Sequence, residues 1–333
     1  MISTAPSQPR RPAAARPGTP PLLLTVVHTE EEFDWNAPFD SGQTGVRHMQ
    51  DIGRVQEIFA RHDCKPIYAV GYPIAAQPAA VDALKVAVGA AEATIGAHLH
   101  PWVCPPITEP VTRYNSYPGN LPAELEHAKL DCLTQQIAAA FGTRPTAYLA
   151  GRYGFGPNTL SILQRLGYRI DLSLVARMDY SKDGGPDYSG QDNASAWEGN
   201  PPVLRIPHSV ADVGFLCRAG RGLLAPERFP LLRHLRVPGI LARVGAMERL
   251  RLSPEGFELE HLKACATALA HAGNAVLVFS FHSPSVTPGC TPYVRDREDL
   301  RRFLARIDGF LGFFRERLKG RFAGPDQVLA SLA

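Results

Sequence analysis

Short apolar runs alternate with longer amphipathic segments along most of the chain. The apolar runs predict strands at 22–27, 66–70, 94–99, 146–150, 169–172, 203–207 and 275–281. The amphipathic segments predict helices at 46–61, 79–89, 123–141, 157–166, 259–270 and 297–318. Strands that alternate with helices are typical of βαβ units and a parallel sheet. We therefore expect an α/β fold, and about seven strands in one series favour a closed or nearly closed barrel with its chemistry at the C-terminal strand ends.

Two segments depart from this alternation. Residues 1–20 contain five prolines and three arginines but no acid, which predicts a disordered Pro/Arg-rich tail. Between residues 211 and 251, eight arginines stand against three acids and are interleaved with leucine, so we expect a basic helical insertion at about 211–255. This lobe is either a solvated amphipathic insertion or a platform for an anionic substrate or a phosphate-bearing carrier. The rest of residues 21–333 is expected to form one barrel domain.

Composition and charge exclude several classes of protein. A hydrophobic content of 45% supplies a sizeable core and excludes a disordered chain, a collagen and a disulfide miniprotein. The 35 basic and 32 acidic residues give a net charge of +3, so we expect no nucleic-acid partner. No apolar run near the start approaches the roughly 20 residues of a membrane span. The run at 22–27 is also too short for a secretory signal, although an arginine-rich transit peptide is an alternative.

The cysteines bear on the cellular compartment. All six are scattered, and no CxxC pair occurs among them. This pattern predicts reduced thiols rather than a disulfide framework or a zinc ribbon. We therefore expect a cytoplasmic protein.

A pair of histidines ends the third predicted strand, in the sequence Gly-Ala-His-Leu-His-Pro-Trp at 96–102. Side chains at i and i+2 project from the same face of a strand, so His98 and His100 point together. Paired imidazoles on one face are typical of metal ligands. Trp102 then becomes a candidate wall for sugar stacking, with core packing as the alternative.

An acidic turn follows the first predicted strand, in the sequence His-Thr-Glu-Glu-Glu-Phe-Asp-Trp at 28–35. Four carboxylates this close repel one another unless a cation or an arginine compensates them. If the strand continues, His28 and Glu30 share one face and can meet His98 and His100 across the barrel mouth. A solvated acidic helix cap is the alternative.

Two further strand ends carry candidate residues. His282 lies where the last predicted strand meets a loop, and a histidine there can donate or accept a proton. Arg152 follows the fourth strand in a glycine-flanked segment, and we expect it to pair with a carboxylate of the acidic turn. The chain contains no GxSxG elbow, phosphate-binding loop or dinucleotide fingerprint. A metal-dependent hydrolase uses the most candidate residues at once.

Together these motifs resemble the polysaccharide deacetylase (NodB-homology) superfamily, and most closely its WalW-like branch. The resemblance covers about residues 22–314, and its most specific parts lie at 30–35, 96–102 and 281–293. It implies a NodB-type (β/α)7 deformed barrel. It also implies a divalent metal, usually zinc, that activates water to remove the acetyl group from an N-acetylated sugar.

The resemblance also implies roles for single residues. His98 matches the first metal histidine, whereas the family's second histidine falls on Trp102, so His100 is the expected substitute. Arg152 matches the arginine that steadies the catalytic carboxylate. His282 matches the histidine that acts as general acid.

The first motif departs from the family pattern, because His28 stands where relatives carry an aspartate. Glu30 or Glu31 is expected to be the base, and Asp171 matches the family only loosely, with a structural role as the alternative. The expected metal ligands are His98, His100, Glu30 and His28. The expected substrate-binding residues are Trp35, Trp102 and Tyr153.

The departures leave two alternatives to a deacetylase of polysaccharides or their precursors. One is a catalytically impaired barrel that still binds carbohydrate. The other is a deacetylase of a small or lipid-linked sugar, with the arginine-rich lobe binding phosphate. In each case the partner is a carbohydrate.

Overall fold

A computed structural model of the chain describes residues 10–13, 18–91, 93–214 and 248–333. These ranges contain twelve strands, which are β1 (Arg10–Pro12), β2 (Leu22–Thr29), β3 (Ile67–Val70), β4 (Thr94–Leu99), β5 (Ala147–Ala150), β6 (Ile170–Asp171), β7 (Ala196–Glu198), β8 (Val203–Arg205), β9 (Val210–Val213), β10 (Glu248–Arg251), β11 (Val276–His282) and β12 (Arg321–Phe322). They also contain eight α-helices, which are α1 (Gly53–Arg61), α2 (Tyr72–Ala76), α3 (Pro78–Ala91), α4 (Ala123–Phe141), α5 (Thr159–Leu166), α6 (Leu259–His271), α7 (Arg297–Glu316) and α8 (Pro325–Ser331).

Seven parallel strands form the sheet that carries the candidate site. They are hydrogen-bonded in the order β11-β2-β3-β4-β5-β6-β8. These are the seven strands that the alternation of apolar and amphipathic segments predicts, so that prediction is confirmed. Beyond β8 the sheet continues with the antiparallel strands β7 and β1, and β12 pairs with the start of β2.

The two faces of β2 belong to two different cores. Leu23 and Val27 pack into the cluster that also holds residues of the surrounding helices. Leu24 and Val26 pack with apolar residues of the other parallel strands, in the barrel interior. Because side chains alternate along a strand, the same face as Leu24 and Val26 continues to His28. The buried strand therefore delivers a histidine to the mouth of the barrel.

The barrel is closed by side chains and single backbone hydrogen bonds rather than by a strand ladder. In the described ranges, no ladder joins β8 to β11. Instead, the backbone N–H of Val278 donates to Oγ of Ser209 over 2.9 Å. The N–H of Ser280 donates to the carbonyl of Leu252 over 3.2 Å. The segments that flank the β9–β10 ribbon thus fill the gap in the wall.

The structure corrects part of the predicted tail. Residues Arg10–Pro12, expected to be disordered, form β1 and pair antiparallel with β7. Edge pairing needs backbone partners rather than apolar side chains, and proline is tolerated at an edge strand, so composition alone does not reveal it. No helix in the described ranges combines the length and apolar character required to cross a bilayer.

Most of the basic helical lobe expected at 211–255 lies outside the described residues. Its described ends form an antiparallel ribbon, in which β9 pairs with β10. At these ends the helical expectation is wrong, because backbone pairing between the two arms of the insertion outweighs local helical patterning.

Candidate metal and catalytic site

His28 and His282 are neighbours at the ends of two adjacent parallel strands. They pair in register between β2 and β11, and their ring centroids lie 4.5 Å apart. Parallel strands bring their carboxyl ends to one edge of a sheet, so the candidates at the ends of β2, β4 and β11 converge. The sequence argument that placed His28 and Glu30 opposite His98 is borne out in geometry.

Three of the four predicted ligands form one buried group. The ligand atoms of His28, Glu30 and His98 all lie within 4.8 Å of one another. Nε2 of His28 and Oε1 of Glu30 are buried and have no hydrogen-bond partner. Because buried polar atoms are nearly always bonded, this donor set fits a cation ligated by nitrogen and oxygen.

His98 is fixed in the tautomer that a metal ligand needs. Its Nδ1 lies 3.0 Å from the carbonyl oxygen of Leu149, which can only accept, so Nδ1 carries the proton. Burial lowers the pKa of His98 to about 4, so the ring is neutral near pH 7 and Nε2 keeps its lone pair. Nε2 faces Oε2 of Glu30 at 3.1 Å. Two acceptors at this distance require a shared proton or a cation.

Glu30 and His100 complete this arrangement. Burial raises the pKa of Glu30, which shows how costly an uncompensated charge is at this position. His100 contacts Oε1 of Glu31 through Nδ1 at 2.8 Å, and its Nε2 lies 3.5 Å from Oε2 of Glu30. Glu31 therefore orients His100, in the manner of carboxylates behind metal-binding histidines. His100 adjoins the group of three as a fourth potential ligand.

His282 is held by a carboxylate that the sequence analysis missed. Its Nδ1 lies 2.7 Å from Oε2 of Glu255, and its backbone N–H donates to Oε1 of the same residue. Burial lowers the pKa of His282, but the charges of Glu255 and Glu30 outweigh it and the net pKa is raised. A histidine favoured in its protonated form can donate a proton. Glu255 lies at the end of the expected insertion, and no sequence pattern marks it as a partner of His282.

The predicted pairing of Arg152 with the acidic turn is wrong. Arg152 donates to Oδ2 of Asp183 at 3.2 Å and to Oγ of Ser116 at 2.7 Å, and its guanidinium lies over the ring of Tyr117. The backbone of Arg152 is left-handed, with φ of 53°, and its side chain points toward Ser116 and Asp183. Asp171 also has a structural role, because it is buried and binds Arg205 at 3.1 Å.

Arg251, at the end of β10, is the arginine that faces the site. It donates a hydrogen bond to the hydroxyl of Tyr153, whose ring centroid lies 5.8 Å from that of His28. His208 lies in the same cluster, with its ring centroid 5.6 Å from that of His28. His208 directly follows the predicted strand 203–207, so the expectation that functional residues lie at the C-terminal strand ends could have identified it. The sequence analysis treated Arg251 only as one of the eight arginines of the expected insertion and did not place it at the site.

The aromatic residues divide into packed and partly exposed ones. Trp102 is only 2% exposed, and its ring stacks on His100 with centroids 4.1 Å apart while Phe39 covers it at 4.5 Å. The expectation that Trp102 forms a sugar-stacking wall is therefore corrected, because both neighbours occupy its ring faces. Trp35 is partly exposed and meets His282 edge to face at 4.8 Å.

Comparison with family models gives no match to this chain, and comparison with curated proteins gives none either. Solved structures do match over nearly the whole chain. A putative polysaccharide deacetylase from Mycobacterium smegmatis is 13% identical, with a TM-score of 0.55, and covers 97% of this chain and 95% of its own. A probable polysaccharide deacetylase from Pseudomonas aeruginosa PAO1 is 16% identical, with a TM-score of 0.52, and covers 93% and 90%.

A Puue allantoinase is also similar, with 16% identity, a TM-score of 0.56, and coverage of 95% of this chain and 91% of its own. The chain therefore has the NodB-type polysaccharide deacetylase fold, an α/β fold with a deformed (β/α)7-type barrel. The fold that the sequence motifs implied is confirmed.

Proposed function

We propose that this protein is a metal-dependent hydrolase that removes the acetyl group from an N-acetylated sugar. The observation that carries the proposal is the contact between Nε2 of His98 and Oε2 of Glu30. Both are acceptors in the neutral-histidine tautomer, 3.1 Å apart and buried. A cation resolves this conflict, and ligand atoms of His28, Glu30 and His98 lie within 4.8 Å of one another. The likeness in fold to solved polysaccharide deacetylases supports the choice of reaction.

His28, Glu30 and His98 would hold the ion, with His100 as an additional ligand turned toward Glu30 by Glu31. When bound, a divalent ion such as zinc supplies Lewis acidity, which lowers the pKa of a coordinated water to about 7 and polarises a carbonyl. Hydrogen bonds at Nδ1 hold the rings of His98 and His100 in place and leave Nε2 of each available as a ligand atom.

The remaining residues of the site would move protons and exclude solvent. Glu30 offers a free Oε1 to accept the proton of the attacking water. His282, protonated and fixed by Glu255, donates a proton to the departing amine. Each positioned proton transfer contributes about 10²- to 10⁴-fold in rate. The rings of Trp35 and Tyr153 would border the sugar, and a backbone N–H near Tyr153 would contact the developing oxyanion.

The proposal extends to substrate and setting. The substrate would be a polysaccharide or a glycan precursor, the metal would be zinc, and the protein would be a WalW-like member of the superfamily that acts in the cytoplasm. Free cysteines at positions 64, 104, 132, 265 and 290 support a reducing compartment. The single barrel domain at 21–333 is part of the same proposal.

Release of acetate from N-acetylglucosamine oligomers tests this function. We expect zinc-dependent release that a chelator abolishes and added zinc restores. His282→Gln should lower kcat about 10²- to 10⁴-fold, because it removes the proton donor but keeps the size of the side chain. Arg152→Gln is the matched control, since Arg152 binds Asp183 away from the group of ligands. Release that is indifferent to chelation and to His282→Gln would overturn the proposal.

His28→Asp tests whether the departure in the first motif impairs the site. If the aspartate variant gains acetate release over the natural chain, the natural site is weakened by His28. If purified protein binds glycans, retains no metal and releases no acetate, the carbohydrate-binding alternative replaces the enzyme.

A further inference from the structure

Arg251 is a partly buried cation whose donors are incompletely used. One guanidinium nitrogen donates to the hydroxyl of Tyr153, and the guanidinium carbon lies 4.7 Å from the centroid of the Tyr153 ring. Its Nε is buried and has no hydrogen-bond partner. Among the described residues no carboxylate forms an ion pair with Arg251, whereas Arg152, Arg205 and Arg249 each have one. A guanidinium with a buried donor atom that has no partner is suited to an external anion.

Tyr153 supplies a second donor at the same place. Its hydroxyl accepts from Arg251, which leaves the hydroxyl proton to donate elsewhere. A tyrosine hydroxyl has an ordinary pKa of about 10, so this proton is present near pH 7. The residue is held there by an unusual backbone, because Arg152 and Tyr153 both have positive φ, at 53° and 62°. Left-handed backbone at non-glycine residues is concentrated at functional sites.

The Arg251–Tyr153 pair lies beside the candidate metal group. The Tyr153 ring centroid is 5.8 Å from that of His28 and 5.1 Å from that of His208. His208 in turn lies 5.6 Å from His28, between centroids, so Arg251, Tyr153 and the two histidines form one cluster. If the amide of a substrate lies at the candidate metal ligands, a group of the same substrate bound by Arg251 and Tyr153 would be separated from that amide by about the width of one sugar ring.

The geometry points to a subsite for a carboxylate of the substrate, formed by Arg251 Nε and the Tyr153 hydroxyl. Two adjacent donors match the two oxygens of a carboxylate, whereas a phosphate or sulfate brings additional oxygens that this pair cannot satisfy. The preferred substrates are therefore N-acylated sugars that carry a carboxylate close to the amide. This inference rests on the proposed function for the position of the amide, and it adds the acidic class of substrate.

Calorimetric binding to the full-length protein as purified tests the subsite. The probes are N-acetylglucosamine and its C6-carboxylate counterpart, N-acetylglucosaminuronic acid. A charge-assisted hydrogen-bond pair predicts about 10- to 100-fold tighter binding of the acid. Arg251→Gln should bring the two dissociation constants to within about twofold. Arg251→Lys should restore part of the preference, and Tyr153→Phe should reduce it, which gives a result even if one variant folds poorly.

N-acetylglucosamine 6-phosphate provides the competing anion. Tighter, Arg251-dependent binding of the phosphate than of the carboxylate would overturn the assignment. So would equal affinities for the acid and the neutral sugar, a preference that persists in Arg251→Gln, or no binding of either sugar. Because binding requires no turnover, an Arg251-dependent preference without acetate release would overturn the proposed reaction and leave the subsite. Acetate release without the preference would overturn the subsite alone.

Discussion

Gly151 makes room for His100 at the end of β4. A Cβ at this position would lie 2.4 Å from the carbonyl oxygen of Leu99 and 2.6 Å from Cδ2 of His100. Gly151→Ala should therefore displace the strand end and lower the free energy of unfolding by about 1–3 kcal/mol, measured by urea denaturation. Gly190→Ala is the control, because a Cβ there meets no atom within 4 Å. Equal losses in both variants would contradict this account of the packing.

At this scale the sequence reveals the residues that obey short-range geometry. The i, i+2 spacing of His98 and His100 placed both on one strand face. The same rule placed His28 and Glu30 together, and the structure brings their ligand atoms within 4.8 Å of His98. These positions follow from the alternation of side chains along a β-strand, which can be read from neighbouring residues in the sequence.

The partners of those residues could not be predicted in the same way. Glu255 and Arg251 reach the site from segments far along the chain, and no spacing links them to the strands they face. For Arg152, the sequence predicted a partner that the structure does not show. The family motif suggested a carboxylate partner in the acidic turn, but its backbone conformation directs the guanidinium to Asp183.

Glu126 links two elements, α4 and α5, away from the site. Its Oε1 accepts a hydrogen bond from the Thr159 hydroxyl, while Oε2 is buried without a partner. Burial raises the pKa of Glu126 from 4.5 to about 7. The folded state therefore binds this proton more tightly than the unfolded state, so the associated stability is complete below about pH 4.5 and is lost as the pH rises through about 7.

Glu126→Gln should remove this pH dependence. Each unit of raised pKa corresponds to about 1.4 kcal/mol, so the variant should gain roughly 2–3 kcal/mol relative to the natural chain between pH 4.5 and pH 8. Urea denaturation across that range measures the difference. Glu124→Gln, at an exposed position in the same helical turn, should keep the natural profile. Parallel pH profiles for the natural chain and Glu126→Gln would refute the assignment.

At the scale of elements, the seven parallel strands could be predicted because each is an apolar run buried on both faces. Strands β1, β7, β9, β10 and β12 could not, because no apolar run marks them and they pair through their backbones at the antiparallel end of the sheet, in a separate ribbon or at the start of β2. Such strands bury too few side chains to leave a periodic signal. The segment 46–61, expected as one helix, divides into a 3-10 turn at Arg47–Asp51 and α1.

The whole barrel depends on a small number of polar contacts where β8 and β11 do not pair. Oγ of Ser209 accepts the buried backbone N–H of Val278 at 2.9 Å. Ser209→Ala leaves that N–H without an acceptor and should cost about 1–3 kcal/mol of unfolding free energy. Ser41→Ala, at an exposed position, should change stability by less than about 0.5 kcal/mol. A loss no larger than that of Ser41→Ala would show that closure does not use this bond.

The fold of the whole molecule is retained at 13–16% identity with solved deacetylases and an allantoinase. An architecture shared at such identity does not determine the reaction, because function depends on the side chains at the strand ends. The central claim is therefore that His28, Glu30 and His98 form a cation site.

Zinc content after equilibrium dialysis tests that claim most directly. The full-length protein should retain one zinc ion per chain. His98→Ala and Glu30→Ala should lose most of it, while His62→Ala should match the natural chain because His62 binds Asp308 outside the site. A natural chain that retains no zinc, or variants at His98 and Glu30 that retain as much as the natural chain, would contradict the account.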